Sequence, residues 1–221
     1  MLDAATIKFL KDLNKNNNKA WFDKHRSIYD TARANFSDLT DEVIKSIATF
    51  DSPIGNFSAK ECMFRINRDV RFSKDKTPYK TNMSAYFNQG GKKSNGAGYY
   101  MHIEPGKSFV AGGLWQPEPA VLAKIRQELD YSFDDWKKIL NNTGFKKAFV
   151  AGIDNTDILQ RPPKGYEETN PAIDFLKMKS FVVRAPLADT LIQSKDLVKE
   201  IAKIFKAMKP FIDFLNHAAA E

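Results

Sequence analysis

Cysteine is almost missing from this 221-residue chain. Cys62 stands alone, which excludes an internal disulfide framework and a cysteine-based structural zinc site and makes a reducing, cytoplasmic compartment the expectation. Histidine is nearly as scarce. His25, His102 and His217 lie far apart, and none has a second histidine or cysteine at ligand spacing, so no transition-metal site and no cofactor are expected. Long apolar runs are also lacking: nowhere do about 18 apolar residues follow one another, which argues against a membrane span. The first residues, MLDAATIKFLKDLNK, break their apolar run at Lys8 and Lys11 and show no small-residue cleavage site, so no secretory signal is expected. There is no P-loop, no GxGxxG after a strand, no HExxH and no GxSxG nucleophile elbow. No internal repeat or sharp change of composition marks a boundary, and residues 1–221 read as one domain.

What the chain does have is apolar mass and positive charge. Hydrophobic residues make up 43% and aromatic residues 12%, enough to build a core without staples. The formal charge is +7, and its placement is more informative than its size. Between Lys60 and Asn82, seven cations (Lys60, Arg65, Arg68, Arg71, Lys74, Lys76, Lys80) face three acids (Glu61, Asp69, Asp75), so this window holds more than half of the net charge. Phe64, Ile66, Val70, Phe72 and Tyr79 are threaded between the charges.

Periodicity supplies the elements. Ile7, Leu10 and Leu13 at helical spacing after Asp3, a suitable N-cap, predict a helix over 4–14, ended by Asn16, Asn17 and Asn18. Trp21, His25, Ile28, Ala32, Phe36, Leu39, Val43 and Ile47 predict a long amphipathic helix to about Phe50, with an interruption near Ser37 and with His25 as a structural residue of its stripe. From Cys62 the pattern alternates, predicting a strand that sends Phe64 and Ile66 into the core and Arg65 to the other face. Residues 69–81 read as an ordered loop or short helical turn, a length that in a compact domain points to function.

Strands are expected at 83–88, 99–104 and 108–115, with Tyr99, Met101 and Ile103 on one face of the second and Tyr100, His102 and Glu104 on the other. Gly112 and Gly113 suggest a bulge or a close backbone approach. Helices follow from Pro119 and Phe133, with Val121, Leu122, Ile125 and Leu129 as the buried stripe of the first. A short strand at 181–183 adds to the sheet, and a last helix from about Ser194 should bend at Pro210. Short connections favour an antiparallel meander over parallel crossovers. The expected class is α+β: one antiparallel-rich sheet, with a mixed one left open, packed by long N-terminal and C-terminal helices.

FRINRDVRFSKDKTPYKTN at 64–82, then GYYMHIEPG, GGLWQPEP, RPPKGY and LKMKSF, together with WFDKHRSIYDTAR in the long helix, resemble the DUF2461 family of conserved proteins of unknown function. The motifs are long and specific, and the resemblance runs through nearly the whole chain. It implies a single α+β domain and no particular activity, so it transfers no catalytic residue.

Chemistry must come from the residues themselves. Arginine offers a planar fork to carboxylate or phosphate, and lysine adds mobile charge. Arg65, Arg68, Arg71, Lys74, Lys76 and Lys80 can surround one anionic group, with Tyr79 stacking on it or donating its hydroxyl. Equally, Asp69 and Asp75 can hold arginines in an internal ion-pair network that fixes the loop. Two acids cannot neutralise six bases, so the surplus is left to solvent or to a ligand. On the neighbouring strand, His102 beside Tyr100 and Glu104 is either a satisfied structural histidine or a proton carrier. The first functional reading is a protein that binds, and as an enzyme acts on, a small phosphorylated or carboxylated ligand. The alternatives are nucleic-acid binding, where bases and aromatics interleave, and a non-enzymatic scaffold; no membrane partner is expected.

Overall fold

The computed structural model describes residues 1–92 and 94–220. It is 50% helical and 13% strand, which makes the protein α+β. The elements are α1 (Ala4–Lys15), α2 (Lys19–Lys24), α3 (Arg26–Ala48), a 3-10 turn at Ser52–Asn56, α4 (Ala59–Cys62), β1 (Met83–Phe87), β2 (Gly98–Ile103), β3 (Phe109–Leu114), α5 (Pro119–Tyr131), α6 (Phe133–Asn141), α7 (Thr143–Ala148), α8 (Ile173–Leu176), β4 (Phe181–Pro186), α9 (Asp189–Ile192) and α10 (Leu197–Ala220). The strands form one antiparallel sheet in the order β1-β2-β3-β4, so sequence neighbours are also spatial neighbours. No helix among the described residues is long and apolar enough to cross a membrane.

Two compact units are present. The first comprises Met1–Phe87, Tyr100–Val110 and Pro186–Lys203; the second comprises Asn88–Tyr99, Ala111–Ala185 and Ile204–Glu221. In the first unit, α1 buries Phe9, Leu10 and Leu13, and α3 buries Tyr29, Ala32, Phe36, Leu39, Val43, Ile44 and Ile47, the positions that repeat by threes and fours. The three asparagines between α1 and α2 divide the work. Asn16 closes α1, and Asn18 caps α2 by accepting from the Trp21 amide at 2.9 Å. Asn17 reaches far along the chain: its Nδ2 donates to the Tyr79 carbonyl at 2.8 Å, and its Oδ1 accepts from the Tyr79 amide at 3.0 Å.

Three expectations need correction in this unit. The interruption of the long helix falls at His25, not near Ser37. His25 Nδ1 donates to the Trp21 carbonyl at 2.7 Å and its ring stacks on Trp21 at 4.0 Å, which holds the backbone at φ −110°, ψ 19° and separates α2 from α3. Asp3 sits at the start of α1 without capping it; its amide donates to Asn35 Oδ1, which also accepts from the Thr6 hydroxyl. The strand expected from Cys62 is not one either. Ser58 and Glu61 form a capping box that makes α4 out of 59–62. Beyond it only the bridges Met63 to Ala85 and Asn67 to Tyr79 remain, so Ile66 is buried while Phe64 is 42% exposed.

In the second unit Trp136 is fully buried, with the rings of Phe175, Phe181, Phe211 and Phe214 between 4.9 and 6.1 Å from its own. Gly112 and Gly113 are places of close approach: a Cβ at Gly112 would overlap the Met208 sulfur, and one at Gly113, whose φ is +121°, would overlap the Phe181 carbonyl. Of the apolar residues expected to line α5, only Ile125 and Leu129 are fully buried. Helix α10 runs unbroken through Pro210, and in this unit it buries Phe205, Met208, Phe211, Ile212 and Leu215.

Candidate functional site

Two runs of backbone lie side by side in the first unit. The Phe64 amide donates to the Ser84 carbonyl at 2.9 Å, the Lys80 amide to the Ile66 carbonyl at 2.8 Å, and the Arg68 amide to the Pro78 carbonyl at 2.9 Å. This ribbon places Arg65 and Lys80 near each other at its base and leaves residues 68–77 as a loop at its far end. Tyr79 anchors the return: it is 7% exposed, and its ring stacks on Phe22 at 4.0 Å with 15° between planes. Tyr79 therefore serves the core, and it is absent from the lining of the groove described below.

The loop engages three of its four cations. Arg68 donates to Asp75 at 2.5 Å and also to the hydroxyl and carbonyl of Thr77. Arg71 forms a two-pronged pair with Asp69, at 3.0 and 2.7 Å. Lys76 Nζ donates to the Val70 carbonyl at 2.9 Å, whereas Lys74 is exposed. Backbone and hydroxyl donation from Thr77, with the Arg68 guanidinium, lowers the Asp75 carboxyl to about 2. Arg71 lowers that of Asp69 in the same way.

The base of the ribbon differs. Lys80 lies over the Phe64 ring at 5.2 Å, half-buried. Burial pushes its ammonium below the usual lysine value, and the Arg65 charge pushes in the same direction. Among the described residues no carboxylate pairs with Lys80, Arg65 or Arg33, and these three line one hollow with Tyr29, Phe64 and Asn82. Arg33 lies in no charged cluster of the sequence; its only signal is helical, since it lies one turn beyond Tyr29 on α3. Next to the hollow, and sharing Phe64, Lys80, Asn82 and Ser84 with it, an open groove of about 430 Å³ is also lined by Arg68, Asp69 and Tyr100. That is enough room for a small ligand.

Strand β2 supplies the polar wall. Its alternation buries Tyr99, Met101 and Ile103 and turns Tyr100, His102 and Glu104 to the other side. There the Tyr100 hydroxyl lies 3.1 Å from His102 Nδ1, and His102 Nε2 lies 3.2 Å from Glu104 Oε2. The Thr81 hydroxyl donates to the other Glu104 oxygen at 2.8 Å. Phe109 stacks on the imidazole at 4.6 Å, and the side chains of His102 and Glu104 are 13% and 20% exposed. A carboxylate only accepts, so Nε2 carries a hydrogen; in the neutral ring Nδ1 is then the acceptor for the phenol. Thr81 and Asn82, at the end of the basic stretch, and Ser84 on β1 also contribute, as neutral polar residues that a count of charges does not mark. Among the described residues no group of three or more His, Cys, Asp or Glu side chains is placed to hold a metal ion.

No curated protein and no solved structure matches the chain. A family model described as a conserved hypothetical protein, DUF2461, matches residues 5–214. With that match spanning almost its full length, the chain belongs to the DUF2461 family.

Proposed function

We propose that the protein binds a small phosphorylated or carboxylated ligand at the base of the ribbon, with Arg65 and Lys80 as the principal anion contacts and Arg33 beside them. One observation carries this reading: three cations share a hollow with no carboxylate partner among the described residues, and one of them is half-buried. Placing like charges together and partly out of water is unfavourable for the protein alone, and an anion reverses the sign of that interaction. The loop cations Arg71 and Lys76 take a supporting part at most, since they are already engaged. The adjoining groove gives the rest of the ligand a place to lie.

Titration calorimetry at low salt with inorganic pyrophosphate and with citrate tests the reading. Binding of either anion is expected, with a loss of about tenfold or more in Arg65→Ala and less than about twofold in Arg71→Ala. Absence of heat with both anions, or equal losses in the two variants, overturns it.

A second reading rests on a different residue. Phe72 is 95% exposed at the tip of the loop, with the Arg71 guanidinium 5.7 Å from its ring centre, and Lys74 follows two residues later. An exposed ring among cations is the arrangement that stacks on a base of single-stranded nucleic acid. That reading requires affinity for an oligonucleotide that falls steeply with salt and is lost in Phe72→Ala. A protein that binds neither probe is left as a scaffold.

A further inference from the structure

We propose that Tyr100 is a catalytic acid–base residue of the groove, driven by His102 and Glu104 behind it. The proposal rests on the groove being the ligand site described above, and it assigns a reaction class to that site. Three features carry it. Tyr100 lines the groove together with Lys80 and Arg68. Its hydroxyl lies 3.1 Å from His102 Nδ1, the nitrogen that accepts from it when the ring is neutral. The other imidazole nitrogen is held by a carboxylate that is itself held by Thr81. A reactive hydroxyl, a base and an acid that orients the base, in series, is the arrangement that activates a weakly acidic oxygen. Both ring nitrogens are engaged, and Phe109 fixes the plane of the ring, so the imidazole is held in one orientation toward Tyr100.

In the step this permits, Tyr100 Oη takes a proton from a C–H or O–H group next to the ligand's phosphate or carboxylate. The phenol's own hydrogen passes to His102 Nδ1. The electron pair left on the substrate lies beside the Lys80 ammonium, and Glu104 stabilises the imidazolium. No electrons leave the substrate and no second reactant is consumed, so the class is proton transfer leading to isomerisation: the imidazolium gives its proton back to Tyr100, and Tyr100 delivers a proton to the atom next to the one that lost it. Tyr100 is the catalytic residue; His102 and Glu104 are positioning residues that act through it. Asp69 is the acid that faces Tyr100 across the groove, and Arg71 already occupies its carboxylate.

The test needs no substrate. The ligand-free full chain is treated with N-acetylimidazole, which acetylates phenols, and modification of each tyrosine is followed by peptide mass spectrometry. Tyr131, 89% exposed, is the internal reference. Access alone would make half-buried Tyr100 the slower of the two. Activation is expected to make it faster than Tyr131 and His102→Gln to slow it by about tenfold or more, with Tyr131 unchanged and Glu104→Gln giving a smaller loss. Tyr100 reacting no faster than Tyr131 in the unmodified protein overturns the proposal, even if His102→Gln fails to fold. An unchanged Tyr100 rate in folded His102→Gln overturns it as well. Because no anion is present, failure of pyrophosphate and citrate to bind and failure of this relay are read separately.

Discussion

The loop at 68–77 and the ribbon base at Arg65 and Lys80 come from one basic stretch, yet they handle charge in opposite ways. In the loop each arginine has found an acid: Arg68 meets Asp75, and Arg71 meets Asp69. At the base no acid among the described residues forms an ion pair with Arg65 or Lys80, the nearby Asp69 being taken by Arg71, and burial makes the Lys80 charge costlier. Net charge therefore overstates what the loop has to offer and understates the base, where charge is both concentrated and unanswered.

The largest effect is expected where both regions share a support. Tyr79→Ala removes a buried ring stacked on Phe22 and is expected to lower the unfolding free energy by about 3 kcal/mol, measured by urea denaturation. Anion binding and loop order should both decline in this variant. Asn17→Ala comes next. It leaves the partly buried amide and carbonyl of Tyr79 without their partner, for a loss of about 2 kcal/mol. A loss confined to the loop amides, with global stability intact, would show that Asn17 tethers only the loop and would divide the regions further.

The helices and strands were largely legible because burial follows a period. Ile7, Leu10 and Leu13 mark α1, and Tyr99, Met101 and Ile103 mark the inner face of β2. What was hidden is tertiary. The 62-residue reach from Asn17 to Tyr79 has no local signature, and neither does the arrival of Arg33 beside Arg65. The His25 break depends on one side chain donating to a carbonyl four residues back, which a hydrophobic stripe cannot reveal. Phe64 misleads for a related reason: alternation assumes a regular strand, and here only isolated bridges follow the α4 capping box. Composition counted two acids against six bases, but which bases remained unpaired was decided by the path of the ribbon.

A smaller effect separates the regions by pH. The Lys80 pKa is lowered on folding, so the unfolded chain binds the extra proton, and the penalty is fully present at neutral pH. Stability attributable to this residue should rise with pH through the window between its lowered value and the ordinary 10.5, above which the penalty is gone. Lys80→Met keeps the stem and removes the charge. It is expected to be more stable than the unmodified protein at pH 7 by less than about 1 kcal/mol, since solvent screens a half-exposed group, while binding anions more weakly. The difference between the two melting curves should shrink toward pH 11. A variant less stable at neutral pH would mean that the base has an internal counter-charge, as the loop does.

The smallest effect belongs to the loop in acid. The Asp75 carboxyl sits at about 2, against an ordinary 3.8, because the Thr77 amide, the Arg68 guanidinium and the Thr77 hydroxyl all favour its charged form. A depressed acid stabilises above its unfolded value and loses that contribution as pH falls through the folded one, so the Asp75 pairing should persist to about pH 3 and disappear near pH 2. Asp75 is exposed, and the loss should stay local. The Thr77 amide resonance is expected to shift over that range while Lys80 and Phe64 hold their positions, and Asp75→Asn should leave the melting temperature nearly unchanged. Were the Phe64 and Lys80 signals to move together with Thr77, the ion pairs of the loop would be setting the shape of the binding base, and the two regions would have to be treated as one site.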